Sequence, residues 1–432
     1  MGAVSAIVAP GSDRLQPSSL LAPGGHRRGG AAYRRIMIAM MAGGLANFAL
    51  LYYVQPLLPA LAARYGVSPG ESSAALSVST IAMAVALLVV GPISDAVGRV
   101  GLMRWSLVAA GVIGLASAFT PSWSVLLILR AAEGAALAVL PAVALAYLRE
   151  EIDRSAHLRA NAAYIAGTAV GGAFARLLPG WLNSHLGWSG TTVVMSSVTL
   201  VTAMIMWALL LPSRGFVGSR LQVGPVVRGT LRSFRDPMLL GLCVVGFAGM
   251  GTFVGVYNAI AFRLRSDPVL YGDAALSVYF AYPVGILAPW VARRLAARWA
   301  RPVVILLGVG LLGAGLLVTA ADGLMVMMLG LGAVTFAFLG THSLTSGAVV
   351  DRARQIGVGV AQASGTYLLV YYVGGAVVGT LATHSWEVGG WNGVLAVCLV
   401  TVVLALAGAA YALRFGAPAS LSPADRSRPA PT

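Results

Sequence analysis

Long apolar runs broken by short polar segments dominate this chain of 432 residues. An α-helix needs about 20 mostly apolar residues to cross the hydrocarbon core of a bilayer. Stretches of roughly that length recur from one end of the chain to the other, and twelve can be read. They cover 36–57, 74–93, 102–119, 122–148, 158–183, 189–212, 238–262, 273–292, 302–320, 323–349, 355–383 and 391–414. The pattern predicts an all-α membrane protein with twelve transmembrane helices.

The second half of the chain repeats the first. Tyr164 matches Tyr367 and Gly187 matches Gly390, and each pair is 203 positions apart. Any single match is weak, because glycine and aromatic residues are common in membrane helices, but several matches at one offset are harder to dismiss. Parallel repeats of six helices build many membrane transporters. The repeat predicts two pseudo-symmetric six-helix bundles, over 33–212 and 238–415.

The segments outside these bundles are polar. Residues 1–32 lack an apolar core long enough for a signal peptide and are predicted to form a disordered cytosolic tail, and 416–432 a second cytosolic tail. The linker 213–237 has an apolar face beside a basic face, which predicts a short amphipathic helix on the inner membrane surface, with a plain flexible linker as the alternative. The apolar face holds Val227, Leu231 and Phe234, and the basic face holds Arg228, Arg232 and Arg235.

The placement of arginine predicts the orientation in the membrane. All 29 basic residues are arginine, and the formal net charge is +15. Of the arginines between spans, only Arg64, Arg263 and Arg265 fall in predicted outer segments. Basic residues accumulate on the cytoplasmic side, so both termini are predicted to be cytosolic in a plasma (inner) membrane. With only 10% charged residues, the basic composition is a topology signal, and we expect no nucleic-acid partner.

Several residue types and groupings are missing from the sequence, and each absence argues against a class of chemical activity. Without lysine there is neither a Walker A phosphate loop nor Schiff-base chemistry. Cys243 and Cys398 lie inside apolar runs, which favours neither a disulfide nor a cysteine metal site. The five histidines are scattered, without a metal-binding or nucleophile–base grouping. We therefore expect no enzyme activity, no cofactor and no bound metal.

A short polar turn at 91–99 lies between two apolar runs. Gly91, Asp95, Gly98 and Arg99 have the spacing G-x-x-x-D-x-x-G-R. The glycines suit a sharp turn and a close approach of helices. This spacing resembles the signature loop between spans two and three of the major facilitator superfamily of secondary transporters, although Val100 stands where that family usually has a second basic residue.

The resemblance implies alternating access, in which two bundles rock around a site at the middle of the membrane. In the family, the carboxylate that matches Asp95 meets the inner start of span eleven and holds the inner gate shut. Glu150 and Glu151, at the inner end of span four, are the candidate gate partners of Arg99.

Three ionisable residues lie deep in predicted spans, where a charge costs at least about 2.5 kcal/mol and therefore usually has a task or a partner. Glu133 is the one carboxylate near the midplane and is predicted to carry a proton, with Arg130 and Arg176 as proton-coupling partners. A permanent structural ion pair with either arginine is the alternative. The stretch 130–134 resembles the span-four motif R-x-x-Q-G of the drug:proton antiporter branch, with Glu133 in place of Gln.

Span five carries small residues around Arg176. Gly167 and Gly171 form a GxxxG step, which lets helices pack backbone to backbone. With Gly172, the run partly resembles the antiporter motif G-x-x-x-G-P-x-x-G-G of the same branch. Generic close packing accounts equally well for the glycines. It does not account for Arg176, which is expected to face a cavity or a carboxylate such as Glu133.

Uncharged polar and aromatic residues of the spans are candidates for a substrate cavity. Phenol and amide groups suit an amphipathic organic ligand, although some of the tyrosines are expected to serve only helix packing or the interface belt. The candidates are Asn47, Tyr52, Tyr53, Gln55, Tyr257, Asn258, Tyr279, Tyr282, His342, Gln362, Tyr367, Tyr371 and Tyr372.

These features together predict a proton-coupled secondary active transporter. The resemblance to the antiporter branch implies export of a small organic or drug-like compound, as in multidrug resistance. Transport of a sugar or another metabolite is the alternative, and a membrane-embedded enzyme or passive channel belongs to a different class. The expected partners are a small-molecule substrate, protons and the lipid bilayer, and the chain is expected to act as a monomer.

Overall fold

The structure, a computed structural model, describes residues 25–214, 216, 218, 223–266 and 272–416. In this part of the chain the regular elements are helices. The first half contains α1 (Ala31–Tyr52), α2 (Leu58–Tyr65), α3 (Pro69–Ser72), α4 (Ala74–Val97), α5 (Arg99–Phe119), α6 (Trp123–Leu137), α7 (Val139–Glu151) and α8 (His157–Leu209). The second half contains α9 (Val223–Arg235), α10 (Pro237–Arg263), α11 (Ala288–Ala296), α12 (Arg301–Val318), α13 (Leu324–Gln355) and α14 (Val360–Gly416). Three 3₁₀ segments cover Gln55–Leu57, Arg154–Ala156 and Gly272–Ile286.

These helices account for the predicted spans and confirm the all-α fold. Span one is α1 with α2, span two is α3 with α4, span three is α5, and span four is α6 with α7. Helix α8 contains spans five and six, α10 is span seven, and the segment Gly272–Ile286 with α11 is span eight. Spans nine and ten are α12 and α13, and α14 contains spans eleven and twelve. Inner and outer refer below to the predicted orientation, in which span one begins inside.

Two glycines divide the longest helices into separate spans. Gly187 has φ 63° and Gly390 has φ 54°, and each interrupts a run of otherwise helical backbone. Glycine adopts positive φ without the steric cost that a Cβ would impose. Because the two residues are 203 positions apart, the structure repeats the same turn at the same place in both halves.

The N-terminal boundary differs from the prediction. Residues 1–24 lie outside the described residues, but the end of the predicted disordered tail is ordered. His26 N–H donates to the carbonyl of Glu151 at 2.8 Å, and Asp153 N–H donates to the carbonyl of His26 at 3.2 Å. These bonds use backbone groups where α7 ends, so the chain from Gly25 is held against the inner end of span four. Helix α1 then begins at Ala31, five residues before the predicted start of span one.

Span eight is wound more tightly than the sequence indicated. Its first part, Gly272–Ile286, is a 3₁₀-helix of 15 residues that contains Pro283. A 3₁₀-helix rises about 2.0 Å per residue. This segment therefore covers about 30 Å, most of the bilayer, before α11 continues the span.

Within the linker, residues Val223–Arg235 form helix α9. Its apolar residues Val227 and Leu231 are 50% and 52% exposed, whereas Ser233 on another side is buried. A Cβ at Gly229 would touch the side chain of Gln362, so the small residues of α9 face span eleven. The helix therefore docks through its small residues and leaves Val227 and Leu231 about half exposed. A position on the inner membrane surface stays a prediction.

Candidate functional site

The deepest charges of span four form an ion pair. Arg130 Nη1 lies 2.7 Å from Glu133 Oε1, and both side chains are completely buried. Three residues apart on α6, they project from the same face of the helix. Of the two arginines predicted as partners of Glu133, the structure brings Arg130 to it.

Backbone carbonyls from two other spans hold the Arg130 guanidinium in place. Nη2 donates to Leu51 O at 2.9 Å and Nε donates to Ala75 O at 3.1 Å. Nη1 also reaches Leu50 O at 3.5 Å. The centroid of the Tyr53 ring lies 5.5 Å from the guanidinium carbon. Since Leu50 and Leu51 belong to span one and Ala75 to span two, Arg130 joins the outer ends of three spans.

The hydrogen-bonding capacity of Glu133 is less completely used than that of Arg130. Its Oε2 atom is buried and has no hydrogen-bond partner in the part of the chain that the structure describes. An ionised carboxylate is an acceptor only and is costly to bury with part of its capacity unused. A proton on Oε2 would remove that charge and weaken the hold on Arg130. The geometry therefore suits a group that binds and releases a proton, and that role stays a prediction.

Arg176 in span five lies among four aromatic rings. Its guanidinium carbon is 4.9 Å from the ring centroid of Tyr52 and 4.5 Å from that of Tyr282. The centroids of Phe253 and Tyr257 lie at 5.4 and 5.2 Å. We call these four residues the aromatic cage. The Arg176 side chain is only 1% exposed. Rings at these distances attract a cation through their negative faces.

The predicted pairing of Arg176 with Glu133 is wrong. Among the described residues, no carboxylate lies within 4.0 Å of the Arg176 guanidinium, and Glu133 pairs with Arg130 instead. The prediction failed because helical spacing places Arg130 and Glu133 on one face, whereas the rotation of span five turns Arg176 towards the second bundle.

Backbone packing explains how Arg176 reaches the interface between the two halves. Its Nη1 donates to the carbonyl of Gly172, one turn earlier, at 2.8 Å. A Cβ at Gly172 would lie 2.7 Å from the hydroxyl of Tyr282 in span eight. Glycine at this position therefore lets span eight approach span five closely.

The GxxxG step of span five packs against span one. A Cβ at Gly167 would collide with the backbone of Met41, and a Cβ at Gly171 would collide with the backbone of Leu45. Both neighbours belong to span one. Spans five and one are therefore in backbone contact, the arrangement that small residues at this spacing allow.

The signature loop is shorter than predicted. Helix α4 continues through Gly91 to Val97, and the turn is confined to Gly98, which has φ 98°. A Cβ at Gly91 would meet nothing within 4 Å, so Gly91 serves neither a sharp turn nor a close helix approach. This part of the prediction is wrong because Asp95 and its neighbours are accommodated within the last turns of span two.

Arg99 forms ion pairs with two carboxylates at the inner end of the first bundle. Its Nη2 lies 3.0 Å from Asp95 Oδ1 and 2.8 Å from Glu150 Oε1. Of the two predicted partners only Glu150 reaches Arg99. Glu151 Oε1 instead accepts 2.7 Å bonds from Ser213 Oγ and from the backbone N–H of Arg214, at the start of the linker. Contact of Asp95 with span eleven stays a prediction.

Polar contacts join the two bundles towards the outer side. Gln55 Nε2 donates to Asn258 Oδ1 at 2.8 Å, and both residues are completely buried. The hydroxyls of Ser77 and Thr380 lie 2.9 Å apart. The backbone N–H of Gly70 also donates to Glu387 Oε1. We call these contacts the outer seal.

Three predicted cavity residues, His342, Tyr367 and Tyr371, lie inside the second bundle. His342 Nδ1 lies 3.0 Å from the Tyr367 hydroxyl, and the ring centroids of His342 and Tyr371 are 4.7 Å apart. They line a cavity of about 10 Å³ with Thr341 and Thr345, whose hydroxyls have no partner among the described residues. About 10–15 Å³ is the room that one water needs, whereas organic ligands occupy about 300 Å³ or more. Tyr367 and Tyr371 therefore line no organic-ligand pocket in this conformation.

The remaining predicted cavity residues are dispersed. Tyr53 lies inside the first bundle, with its hydroxyl 3.4 Å from Thr192 Oγ1. Gln362 lies at the inner surface beside α9. Asn47 is buried in span one, and neither of its amide atoms has a partner. Tyr279 lies beside the aromatic cage, with its ring centroid 6.1 Å from that of Tyr257.

Sequence reasoning missed several residues of the interface. Phe253 of the aromatic cage lies four positions before Tyr257, so helical spacing on span seven could have revealed it. Thr380 and Glu387 of the outer seal carried no comparable signal, because their partners come from the other bundle. Among the described residues, no three His, Cys, Asp or Glu side chains are grouped so that they could hold a metal ion.

Comparison with known proteins gives consistent matches along most of the chain. The family model of the Major Facilitator Superfamily matches residues 40–379. The chain is 36% identical over 389 residues to the MFS-type transporter YybF of Bacillus subtilis (strain 168), covering 90% of this chain and 96% of that protein. It is 34% identical over 381 residues to the inner membrane transport protein YnfM of Escherichia coli (strain K12), covering 88% and 91%.

Solved structures match in fold. A bacterial homologue of the human lysosomal transporter Spinster, in an inward-facing and unoccupied conformation, aligns with a TM-score of 0.66 at 16% identity over 89% of this chain and 97% of that chain. The same homologue in an inward-facing and occupied conformation gives a TM-score of 0.67 at 15% identity, over 90% and 97%.

Proposed function

The chain belongs to the Major Facilitator Superfamily of membrane transporters, and on that premise we propose that it exports a small organic compound by alternating access, driven by protons. It is a multi-pass membrane protein and a transporter rather than an enzyme. To the family membership, the proposal adds the coupling ion, the direction of transport and the kind of transported compound.

The observation that carries the proposal is the buried Arg130–Glu133 pair. Glu133 is ion-paired through one carboxylate oxygen, and the other has no partner among the described residues. Protonation would neutralise Glu133 and loosen Arg130, whose other bonds run to the carbonyls of Leu50 and Leu51. A change in the charge of Glu133 would thus be felt at the outer end of span one.

Span one connects this pair to the interface between the bundles. Tyr52 follows Leu51 directly, and its ring lies against Arg176. Three residues further on, Gln55 bonds across the interface to Asn258. A shift of span one would therefore alter the contacts between the bundles, which is what coupling of a proton to alternating access requires.

In this proposal, contacts at the outer end and at the inner end of the first bundle close the outer and inner gates, respectively. The outer seal would hold the outer side shut in the described conformation. The cluster of Asp95, Arg99 and Glu150 would serve the inner side when the bundles rock the other way. Export is supported by the resemblance of 130–134 to the antiporter span-four motif.

The test is substrate-dependent proton movement in proteoliposomes under an imposed pH gradient. A panel of organic acids, amines and sugars is added, and an enclosed pH-sensitive dye reports proton flux. The intact protein should move protons only with its substrates. Glu133→Gln keeps the size of the side chain and removes its titrating proton, so it should abolish this flux. Glu71→Gln, an exposed outer carboxylate, is the matched control. Undiminished flux with Glu133→Gln would refute the coupling role.

A further inference from the structure

We propose that Arg176 and the aromatic cage bind the anionic group of the transported compound, so that the substrates are small organic anions and not cations. The inference rests on the proposed function as a transporter of small organic compounds. It gives Arg176 a binding role in place of the predicted proton-coupling role.

The first argument is the position of the cage between the two halves of the protein. Arg176 and Tyr52 belong to the first bundle, whereas Phe253, Tyr257 and Tyr282 belong to the second. All four ring centroids lie within 5.4 Å of the guanidinium carbon. A ligand held here would touch both bundles, so its affinity would differ between arrangements of the bundles and it would bias their relative movement.

The second argument is the balance of charge. The charges of Arg130 and Glu133 cancel each other. Arg176 therefore carries the one uncompensated positive charge in the deep interior of the described spans. A buried charge usually has an oppositely charged partner. The rings offset part of the cost of burial, but they carry no net charge. A carboxylate on the ligand would supply the missing partner, and a cationic ligand would be repelled.

The third argument is unused hydrogen-bonding capacity. A guanidinium has five N–H donors in a planar fork that matches a carboxylate. Arg176 donates from Nη1 to the carbonyl of Gly172, while its buried Nε atom has no partner within the described ranges. The hydroxyl of Tyr279, stacked on Tyr257, is also buried and has no hydrogen-bond partner among the residues that the structure describes. These donors and the flat rings fit an anionic head with an apolar or aromatic body.

A purely structural role is the competing interpretation, in which Arg176 only bridges the bundles through its cation–π contacts. That role predicts no preference among ligands of different charge. Matched probes distinguish the structural role of Arg176 from the proposed binding role. Benzoate, benzamide and benzylamine share a ring and differ in charge at neutral pH, and 1-naphthoate with 1-naphthamide extends the comparison to a larger ring system.

The experiment measures binding of each probe to the purified full chain by calorimetry and by the ligand-dependent rise in unfolding temperature, at constant ionic strength in a zwitterionic buffer. At least one carboxylate should bind roughly tenfold or more tightly than its amide, and benzylamine should not bind. Arg176→Gln should remove this preference. Arg176→Lys, which keeps the charge but loses the fork, should weaken carboxylate binding and still favour it over the amide.

Arg64→Gln, an exposed arginine at the outer side, is the matched control and should bind all probes like the intact protein. If Arg176→Gln does not fold, the comparison of probes on the intact protein and on Arg176→Lys decides the question. Binding of the amides or of benzylamine as tight as that of the carboxylates would overturn the proposal, as would an unchanged preference in Arg176→Gln.

Failure of this inference is distinguishable from failure of the proposed function. Glu133→Gln should bind the carboxylates like the intact protein but lose proton flux. If it keeps proton flux, the coupling role of Glu133 is wrong while the anion site stands. If carboxylates bind no better than amides while proton flux still depends on Glu133, the anion site is wrong while proton-coupled transport stands.

Discussion

Gln55 and Asn258 occupy equivalent places in the two halves of the chain, 203 positions apart, and hydrogen-bond to each other across the interface. Gln55 Nε2 donates to Asn258 Oδ1 at 2.8 Å, and both side chains are completely buried. Symmetry-related residues meet directly only near the axis that relates the two halves. The pair therefore marks the pseudo-twofold axis on the outer side of the protein.

Replacing Asn258 by Leu should open the outer side. Gln55 would lose its acceptor while the bundles are closed there, at a cost of about 1–3 kcal/mol for an unsatisfied buried amide. Spin labels at positions 64 and 388, both exposed at the outer side, would report the opening as a longer distance. The long-distance population should rise roughly tenfold. The Gln55→Leu/Asn258→Leu double variant should open less than the sum of the single effects. Additive effects would show that the hydrogen bond does not hold the bundles together.

Removal of Arg130 should be strongly destabilising. Arg130→Ala leaves Glu133 buried without its counterion and removes the bonds to span one and span two, at an expected cost of about 3–5 kcal/mol. Arg130→Leu combined with Glu133→Leu should be less destabilising than Arg130→Ala, because no lone charge stays buried. Thermal unfolding in detergent measures both, with Arg64→Ala as the control. Equal unfolding temperatures for Arg130→Ala and the intact protein would contradict the anchoring role.

Asp95→Asn should slow transport without removing the protein from the membrane. The amide keeps the shape of the side chain but loses the charge that pairs with Arg99 at 3.0 Å. A partly exposed pair of this kind contributes about 1 kcal/mol, so the transport rate should fall roughly fivefold. Asp351→Asn, which breaks the exposed pair with Arg301, is the control and should transport normally. A normal rate for Asp95→Asn would mean that the loop has lost its family role here.

Asp236 should contribute to stability in a pH-dependent way. Burial raises the pKa of Asp236, but hydrogen bonds from Arg352 and from the backbone N–H of Leu239 outweigh it and leave the pKa below its ordinary value of 3.8. A lowered pKa stabilises the folded state fully above the unfolded pKa, and this stability is lost as the pH falls through the folded pKa. The loss should therefore begin below about pH 5.

The variant Asp236→Asn tests this pH dependence. It should lower the unfolding temperature at pH 7 and flatten the fall of stability between about pH 5 and pH 3. Asp351→Asn, at a carboxylate with 46% of its side chain exposed, should change the profile much less. A profile for Asp236→Asn that runs parallel to that of the intact protein would show that another group is responsible.

Neighbouring glycines at the turn between spans eleven and twelve should respond differently to alanine. Gly390 has φ 54°, where a Cβ is strained, so Gly390→Ala should destabilise the protein by about 1–3 kcal/mol. Gly389 lies outside that φ range and has nothing within 4 Å of a built Cβ. Gly389→Ala should therefore be neutral or slightly stabilising. Thermal unfolding of the two variants compares them, and equal effects would contradict the strained turn at Gly390.

Features that depend on short stretches of chain were accessible from the sequence. The twelve spans follow from the length of apolar chain that a bilayer demands, and the repeat follows from Gly187 and Gly390, whose backbone conformation few other residues adopt. The ion pair of Arg130 with Glu133 was one of two pairings that the sequence left open, and its three-residue spacing favours it on any helix. These are local properties, set by a few neighbouring residues.

The tertiary structure alone decided how distant spans meet. The rotation of span five turns Arg176 away from Glu133 and into the aromatic cage. Span seven supplies Phe253, whose four-residue spacing from Tyr257 places it on the same helix face but does not show what that face contacts. Gln55 and Asn258 were both predicted to line a cavity, yet their bond to each other depends on the approach of two bundles along the pseudo-twofold axis. Such contacts follow from helix rotation and packing between residues far apart in the chain, which hydrophobic periodicity leaves undetermined.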